Sequence, residues 1–88
     1  MNAYLIDGAN MRDRAAAHAE LARALKLPPH YGANLDALWD ELSAIRAELT
    51  LENPVPMLNA LGVYGCKLLQ TLFEAAGENP DFQFRIAQ

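Results

Sequence analysis

The sequence predicts a small α/β protein in which a three-stranded parallel sheet is packed with three to four helices. Three short apolar segments, residues 3–6, 49–51 and 82–87, are typical of strands. A long segment with helical patterns separates each of them from the next. Because parallel neighbours need long crossover connections, whereas antiparallel neighbours can be joined by a short turn, the strands are expected to run parallel.

Length and composition predict one domain that covers residues 1–88. Hydrophobic residues make up 52% of the chain, which is ample for one core. No apolar run approaches the roughly 20 residues of a membrane span, and the N-terminus does not resemble a secretory signal. The single cysteine, Cys66, excludes an internal disulfide and is expected to be buried. It favours a reducing, cytoplasmic location.

The first predicted helix has the clearest signal. It covers residues 14–26, which contain no Gly or Pro, and two prolines follow its end. Asp13 is placed to cap its N-terminus. His18, alone among alanines on this helix, is expected to be a packed or surface histidine rather than a ligand. Prolines and a glycine then predict a loop at residues 27–33.

The rest of the chain reads as three further helical segments and two strands. Asn34 is a good N-cap for a helix at residues 35–46. Gly62 and Gly65 are expected to break the chain before the last helix, and Gly77 is expected to end it. The other predicted elements are a strand at 49–51, a short helix or irregular turn at 56–61, an amphipathic helix at 66–76 and a strand at 82–87.

The helix at residues 35–46 would place its acids opposite its leucines. Like charges four residues apart, such as Asp36 and Asp40, destabilise a helix by roughly 0.2–0.5 kcal/mol. No Lys or Arg lies between Lys26 and Arg46 to offset them. At about 100° per residue, the core side holds Leu35, Leu38, Leu42 and Ile45, the opposite side holds Asp36, Asp40 and Ser43, and Trp39 lies on the border.

Two interpretations of this acidic surface remain open from the residues alone. It is either the solvated side of an ordinary amphipathic helix or a binding face. Acids beside a half-exposed Trp have the composition of a binding hot spot, and carboxylates at fixed spacing resemble successive phosphates, which Arg and Lys recognise. The net charge of −4 argues against direct nucleic-acid binding and is compatible with a basic protein partner.

The segment LPPHYGANLDALWDEL, residues 27–42, strongly resembles the barstar family of intracellular ribonuclease inhibitors. The family pattern is approximately Leu-Pro-x-aromatic-Tyr-Gly-x-Asn-Leu-Asp-Ala-Leu-Trp-Asp-x-Leu. The resemblance extends back without a gap to Ile6, includes His18, and returns at residues 49–52. It is weaker over residues 72–82, and the middle of the chain matches poorly. Length and element order fit a barstar-like fold throughout.

The resemblance implies that the protein plugs the substrate cleft of a small basic microbial ribonuclease, barnase-like or a related toxin nuclease, in an immunity or antitoxin role. By position, Asp40 would take the place of a substrate phosphate and meet the nuclease's Arg and Lys cluster. Asp36 would contact its active-site loops. Glu74, on the last helix, would pair with a peripheral basic residue. The remaining implied contacts are His30, Tyr31, Gly32, Asn34, Trp39, Ser43, Ala44 and Ile45. No cofactor, metal or membrane is implied.

The sequence departs from the best-known family member at three positions near these contacts. His30 stands where a Tyr normally packs into the nuclease's active site. Ile45 stands where that member has a second interface Trp, and Glu41 stands where it has a Cys. The acidic part of the implied interface is therefore kept, while its aromatic part is altered.

Two other function classes compete with inhibition. The stretch LIDGAN, residues 5–10, resembles the first strand of metal-dependent PIN- and NYN-type nucleases, in which the Asp holds a divalent cation. Such a site needs further carboxylates at neighbouring strand ends, and a turn after a strand is the simpler interpretation of Asp7-Gly8. A generic acidic adaptor for another basic protein is the second. With two separated histidines and no nucleophile–base pair, the sequence does not predict an enzyme.

Overall fold

Three parallel strands form the sheet in the computed structural model, which describes residues 2–87. They are β1 (Asn2–Asp7), β2 (Ala47–Glu52) and β3 (Phe82–Ala87), and β2 lies between the other two. On the inward face, Ile6, Leu49, Leu51 and Phe82 are buried and Tyr4, Phe84 and Ile86 are half-buried. The row Leu5, Thr50 and Arg85 belongs to the other, more exposed face. The predicted α/β class and parallel sheet are confirmed.

Four helices complete the fold. They are α1 (Arg14–Leu25), α2 (Leu35–Leu42), α3 (Pro54–Leu61) and α4 (Val63–Glu78), and a short 3-10 turn at Gly8–Asn10 follows β1. No helix in the described part of the chain is long and apolar enough to cross a membrane. One apolar cluster fills the space between helices and sheet, and its largest members are Phe82, Ile6, Met11, Leu21, Leu38, Leu42, Leu49, Leu51, Met57, Leu68 and Leu72.

Side-chain caps start the two helices that flank the loop at residues 27–34. A carboxylate oxygen of Asp13 accepts the N–H of Ala16 at 2.7 Å, which begins α1. The amide oxygen of Asn34 accepts the N–H of Ala37 at 2.7 Å, which begins α2. Both caps were predictable because Asp and Asn satisfy N–H groups that have no partner inside a helix.

The prediction that the second helix reaches residue 46 is wrong, since α2 ends at Leu42. The side-chain N–H₂ of Asn79, between α4 and β3, donates to the carbonyls of Leu42 and Ile45, each at 2.9 Å. These bonds satisfy carbonyl groups that a longer helix would have used internally. The chain can then enter β2 at Ala47, whose N–H donates to Asp81.

Three expectations about the last helix are also wrong. α4 begins at Val63 and includes Gly65, because the break before it lies at Gly62, where φ is +58°. Gly65 is instead a packing residue: a Cβ there would lie 3.1 Å from the Met57 sulfur of α3. Gly77 lies inside the last turn rather than ending the helix. Cys66 is exposed rather than buried, because it lies one position off the buried stripe of α4.

Candidate functional site

The exposed side of α2 carries two acidic side chains, as the sequence predicts. Asp36 and Asp40 are exposed, whereas Leu38 and Leu42 on the opposite side are fully buried. Trp39 is half-buried and packs against the edge of the core. We call the surface formed by residues 30–34 and the exposed side of α2 the acidic face.

The protein supplies no cation of its own to these acids within residues 2–87. The salt bridge of this part of the chain joins Arg23 to Glu20, at 3.0 Å, and lies on α1. Asp36 is in the first turn of α2, where the helix dipole favours a negative charge. Asp40 is in the last turn, where the dipole opposes one. The acidic face therefore displays negative charge that the fold does not neutralise, which suits a basic partner.

The loop before α2 presents polar groups beside these acids. His30, Gly32 and Asn34 are exposed, and Tyr31 is half-buried. The side-chain N–H₂ of Asn34 donates to the carbonyl of Gly32 at 3.3 Å while its oxygen caps α2, so one residue links loop and helix. Ala33 has a φ of +53°, in the left-handed region that an L residue with a side chain seldom adopts.

The hydroxyl of Tyr31 reaches into the protein and meets His18, which sequence reasoning left without a role. The Nδ1 of His18 lies 2.6 Å from this hydroxyl, and its Nε2 lies 2.6 Å from the hydroxyl of Tyr64 on α4. Burial lowers the pKa of His18, and burial is also the main cause that raises the pKa of Tyr31. One signal was available: His18 precedes Leu21 and Leu25 by three and seven residues, so it lies on the buried stripe of α1.

The far end of α2 forms a small concave rim. Ser43 and Ala44 are exposed, Ile45 is half-buried, and the Ser43 hydroxyl donates to the carbonyl of Trp39 at 2.8 Å. Beside them lies an open cavity of about 220 Å³, lined by Leu25, Lys26, Leu27, Pro28, Glu41, Ala44 and Ile45. Glu41 thus turns toward the C-terminal end of α1 instead of joining Asp36 and Asp40.

Glu74 is the one implied contact residue that lies on another helix. It is exposed on α4, and its carboxylate accepts a hydrogen bond from the side chain of Gln70 at 2.9 Å. No hydrogen bond within residues 2–87 joins it to the loop or to α2. The other ten implied residues lie within one continuous segment, residues 30–45, whereas Glu74 lies on α4, a helix that packs against α2.

Comparison with known proteins accounts for this combination of fold and acidic helix. The family model described as Barstar (barnase inhibitor) matches residues 1–87. The chain belongs to the barstar family. It is also 35% identical to a Bacillus subtilis (strain 168) protein named "Putative ribonuclease inhibitor YrdF", over 98% of this chain and 97% of that one. The resemblance seen in residues 27–42 thus extends to nearly the whole chain.

The alternative metal site of a PIN- or NYN-type nuclease finds no support in this barstar-family structure. Asp7 accepts hydrogen bonds from the N–H of Ala9 and the side chain of Asn53, which lower its pKa, the Asn53 bond most. It therefore caps the turn after β1. Within residues 2–87, no group of three or more His, Cys, Asp and Glu side chains could hold a metal ion.

Proposed function

We propose that this barstar-family protein inhibits a small basic microbial ribonuclease by inserting the acidic face into the enzyme's substrate cleft. The observation that carries the proposal is that Asp36 and Asp40 are exposed and lack an intramolecular ion pair within the described residues. Family membership supports the partner class, since the family model is named for inhibition of barnase. The protein acts here as a binding partner and not as an enzyme.

The acidic face can act as a substitute for RNA. A nuclease cleft holds Arg and Lys side chains for phosphates, and these form short, charge-assisted hydrogen bonds with carboxylates. Asp40 takes the place of a phosphate, and Asp36 meets the loops around the active site. The repulsion between the two acids is relieved when the cations dock. Complementary charge also speeds association, an effect for which barnase and barstar are themselves the usual illustration.

The residues around the acids set which nuclease fits. Tyr31, Gly32, Asn34 and Trp39 frame the contact, and Ser43, Ala44 and Ile45 form its far rim. His30 and Ile45 replace aromatic residues of the best-known family member, so the partner is a nuclease whose surface differs from barnase at these points. Glu74 makes a peripheral ion pair. The place of action is the cytoplasm of the cell that makes the nuclease, where the inhibitor serves as an immunity protein.

An inhibition assay against barnase and several related small microbial ribonucleases tests this proposal. The parent protein is compared with Asp40→Asn, which keeps the shape and removes the charge. Because the nuclease's desolvated cations would lose their partner, inhibition of the susceptible enzyme should weaken at least about 30-fold. Glu48→Gln is the matched control, because Glu48 is an exposed acid on β2, away from α2.

The outcomes of this assay separate the alternatives. Equal inhibition by Asp40→Asn and the parent would contradict the plug mechanism. If no nuclease in the panel is inhibited but a basic protein binds the acidic face, the adaptor interpretation replaces the proposal. Cleavage of RNA by the purified protein with Mg²⁺ or Mn²⁺ would instead revive the metal-nuclease interpretation.

A further inference from the structure

His18 is a polar side chain enclosed almost entirely by the core. It is 1% exposed, and both of its ring nitrogens have a tyrosine hydroxyl at 2.6 Å. One hydroxyl belongs to Tyr31 in the loop of the acidic face, and the other belongs to Tyr64 in the first turn of α4. The imidazole ring therefore joins the loop to α4, through a tyrosine that lies 46 residues after His18 in the chain.

The hydrogen-bond roles of the Tyr31 and Tyr64 hydroxyls depend on each other. A neutral imidazole has one N–H donor and one bare nitrogen that accepts. Whichever tautomer is present, one hydroxyl must donate to His18 while the other accepts from it. A change in the bond to Tyr64 therefore changes what His18 offers to Tyr31. The donor or acceptor role of one hydroxyl is thus coupled through the imidazole ring to the role of the other.

Tyr64 is itself held in place from a second side. The guanidinium carbon of Arg14, at the start of α1, lies 4.2 Å from the centroid of the Tyr64 ring, within range of a cation–π contact. The rings of His18 and Tyr64 meet edge to face, with centroids 6.0 Å apart. Both ends of Tyr64, its ring and its hydroxyl, thus contact α1.

The bond to His18 is the hydrogen bond that connects the loop to a part of the protein other than α2, within the described residues. Within the described chain, the hydrogen bonds of residues 28–34 run to one another or into α2, except for the bond from Tyr31 to His18. The loop also holds Ala33 in a left-handed conformation, which costs an L residue roughly 1–2 kcal/mol. Because this conformation is unfavourable, loss of the Tyr31–His18 hydrogen bond should allow the loop to leave it.

We propose that Tyr64 is a positioning residue for the acidic face: it acts through His18 to hold Tyr31 and keep the loop in the conformation that meets the nuclease. The effect of Tyr64 on nuclease binding rests on the proposed function, whereas its effect on the order of the loop does not depend on any partner. Tyr64→Phe removes the hydroxyl and leaves the ring beside Arg14 and His18. Tyr4→Phe is the matched control, because Tyr4 is half-buried and its hydroxyl has no hydrogen bond within residues 2–87.

Nitrogen NMR of His18 and amide hydrogen exchange provide the test on the free protein. In Tyr64→Phe, the Nε2 signal of His18 should shift because that nitrogen loses its hydroxyl partner, and the Nδ1 signal should shift with it because the two hydrogen bonds are coupled through the ring. The amide of Tyr31, bonded to Pro28, and the amide of Ala37, bonded to Asn34, should exchange about tenfold faster, since roughly one net hydrogen bond is lost. Amides of Leu21 and Leu51 report global stability.

Two results would overturn the positioning role. One is an unchanged Nδ1 signal with loop amides that speed up no more than those of Leu21 and Leu51, which would leave Tyr64 as an ordinary stabilising residue. The other is faster loop exchange with unchanged inhibition of a nuclease that Asp40→Asn fails to inhibit. If the parent inhibits no nuclease, the proposed function fails, and hydrogen exchange still decides whether Tyr64 orders the loop.

Discussion

Near the end of β1, the carboxylates of Glu20 and Asp7 are bound by the protein's own donors, whereas no ion pair within residues 2–87 involves Asp36 or Asp40 on α2. The carboxylate of Glu20 accepts the N–H of Asp7 at 2.9 Å and forms an ion pair with Arg23 at 3.0 Å. Asp7 in turn caps the turn after its strand. Asp36 and Asp40 lie exposed on their helix without an ion pair in residues 2–87.

This difference separates acids that build the fold from acids available to a partner. A buried carboxylate without partners would carry a large desolvation cost, so Glu20 is found with both a donor and a cation. An exposed carboxylate remains solvated and needs neither. The repulsion between the exposed pair destabilises the helix by only a few tenths of a kcal/mol. Removal of an acid that builds the fold should therefore lower stability and leave inhibition unchanged. Removal of an acid on the acidic face should weaken inhibition without lowering stability.

The largest effect on stability should follow from Glu20→Ala. It leaves the N–H of Asp7 without its acceptor and Arg23 without its carboxylate, so the free energy of unfolding should fall by about 1–3 kcal/mol. Urea unfolding at pH 7 measures it, with Glu78→Ala, an exposed acid of α4, as the control. Inhibition by the folded variant should match the parent, since Glu20 is outside the acidic face. A loss of inhibition with unchanged stability would remove the distinction between the two sets.

A second effect concerns His18, the buried polar group that supports the acidic face from inside. Its pKa is lowered by burial, so the unfolded chain binds a proton more readily than the folded protein does. Stability is therefore complete above the ordinary histidine value of about 6.5 and is lost as the pH falls below it, by at most about 1.4 kcal/mol per pH unit for one proton. Within residues 2–87 the groups that contact the ring nitrogens are the hydroxyls of Tyr31 and Tyr64, Arg14 lies on the far partner Tyr64, and Glu41 acts on Tyr31 rather than on the ring.

Urea unfolding between pH 7.5 and about 5, above the range where carboxylates titrate, measures this slope. His18→Gln should flatten it, whereas His30→Gln, which changes the exposed loop histidine, should leave it in place. A parent protein whose stability does not change over this interval would contradict the assignment of His18 as a buried neutral ring.

The sequence was sufficient for features that depend on neighbouring residues and insufficient for those set by distant ones. The caps Asp13 and Asn34, the order of helices and strands along the chain, and the separation of acids from leucines on α2 follow from local patterns. The end of α2 does not, because Asn79 fixes it from 37 residues away. The exposure of Cys66 depends on where α4 meets its neighbours.

The acidic face shows the same division. Its charged and apolar sides were predicted from the helical pattern of residues 35–46, and within α2 the structure exposes Asp36 and Asp40 and buries Leu38 and Leu42. The two bonds of His18 were not predictable, because they join α1 to the loop and to α4, which are far apart in the sequence. The residue pattern of one helix therefore predicts which side chains it exposes, whereas contacts between elements determine the conformation in which they are held.

The smallest effect tests whether the exposed acids lack partners in the free protein. Asp40→Asn removes the repulsion from Asp36 and a negative charge that the dipole opposes in the last turn, so the free energy of unfolding should rise by about 0.2–0.5 kcal/mol at low salt. Asp36→Asn removes the same repulsion but also a favourable first-turn charge, so it should give no gain. Urea unfolding of both variants beside the parent resolves this contrast. A destabilised Asp40→Asn would reveal that the protein itself uses this carboxylate, which would leave less of it for a nuclease.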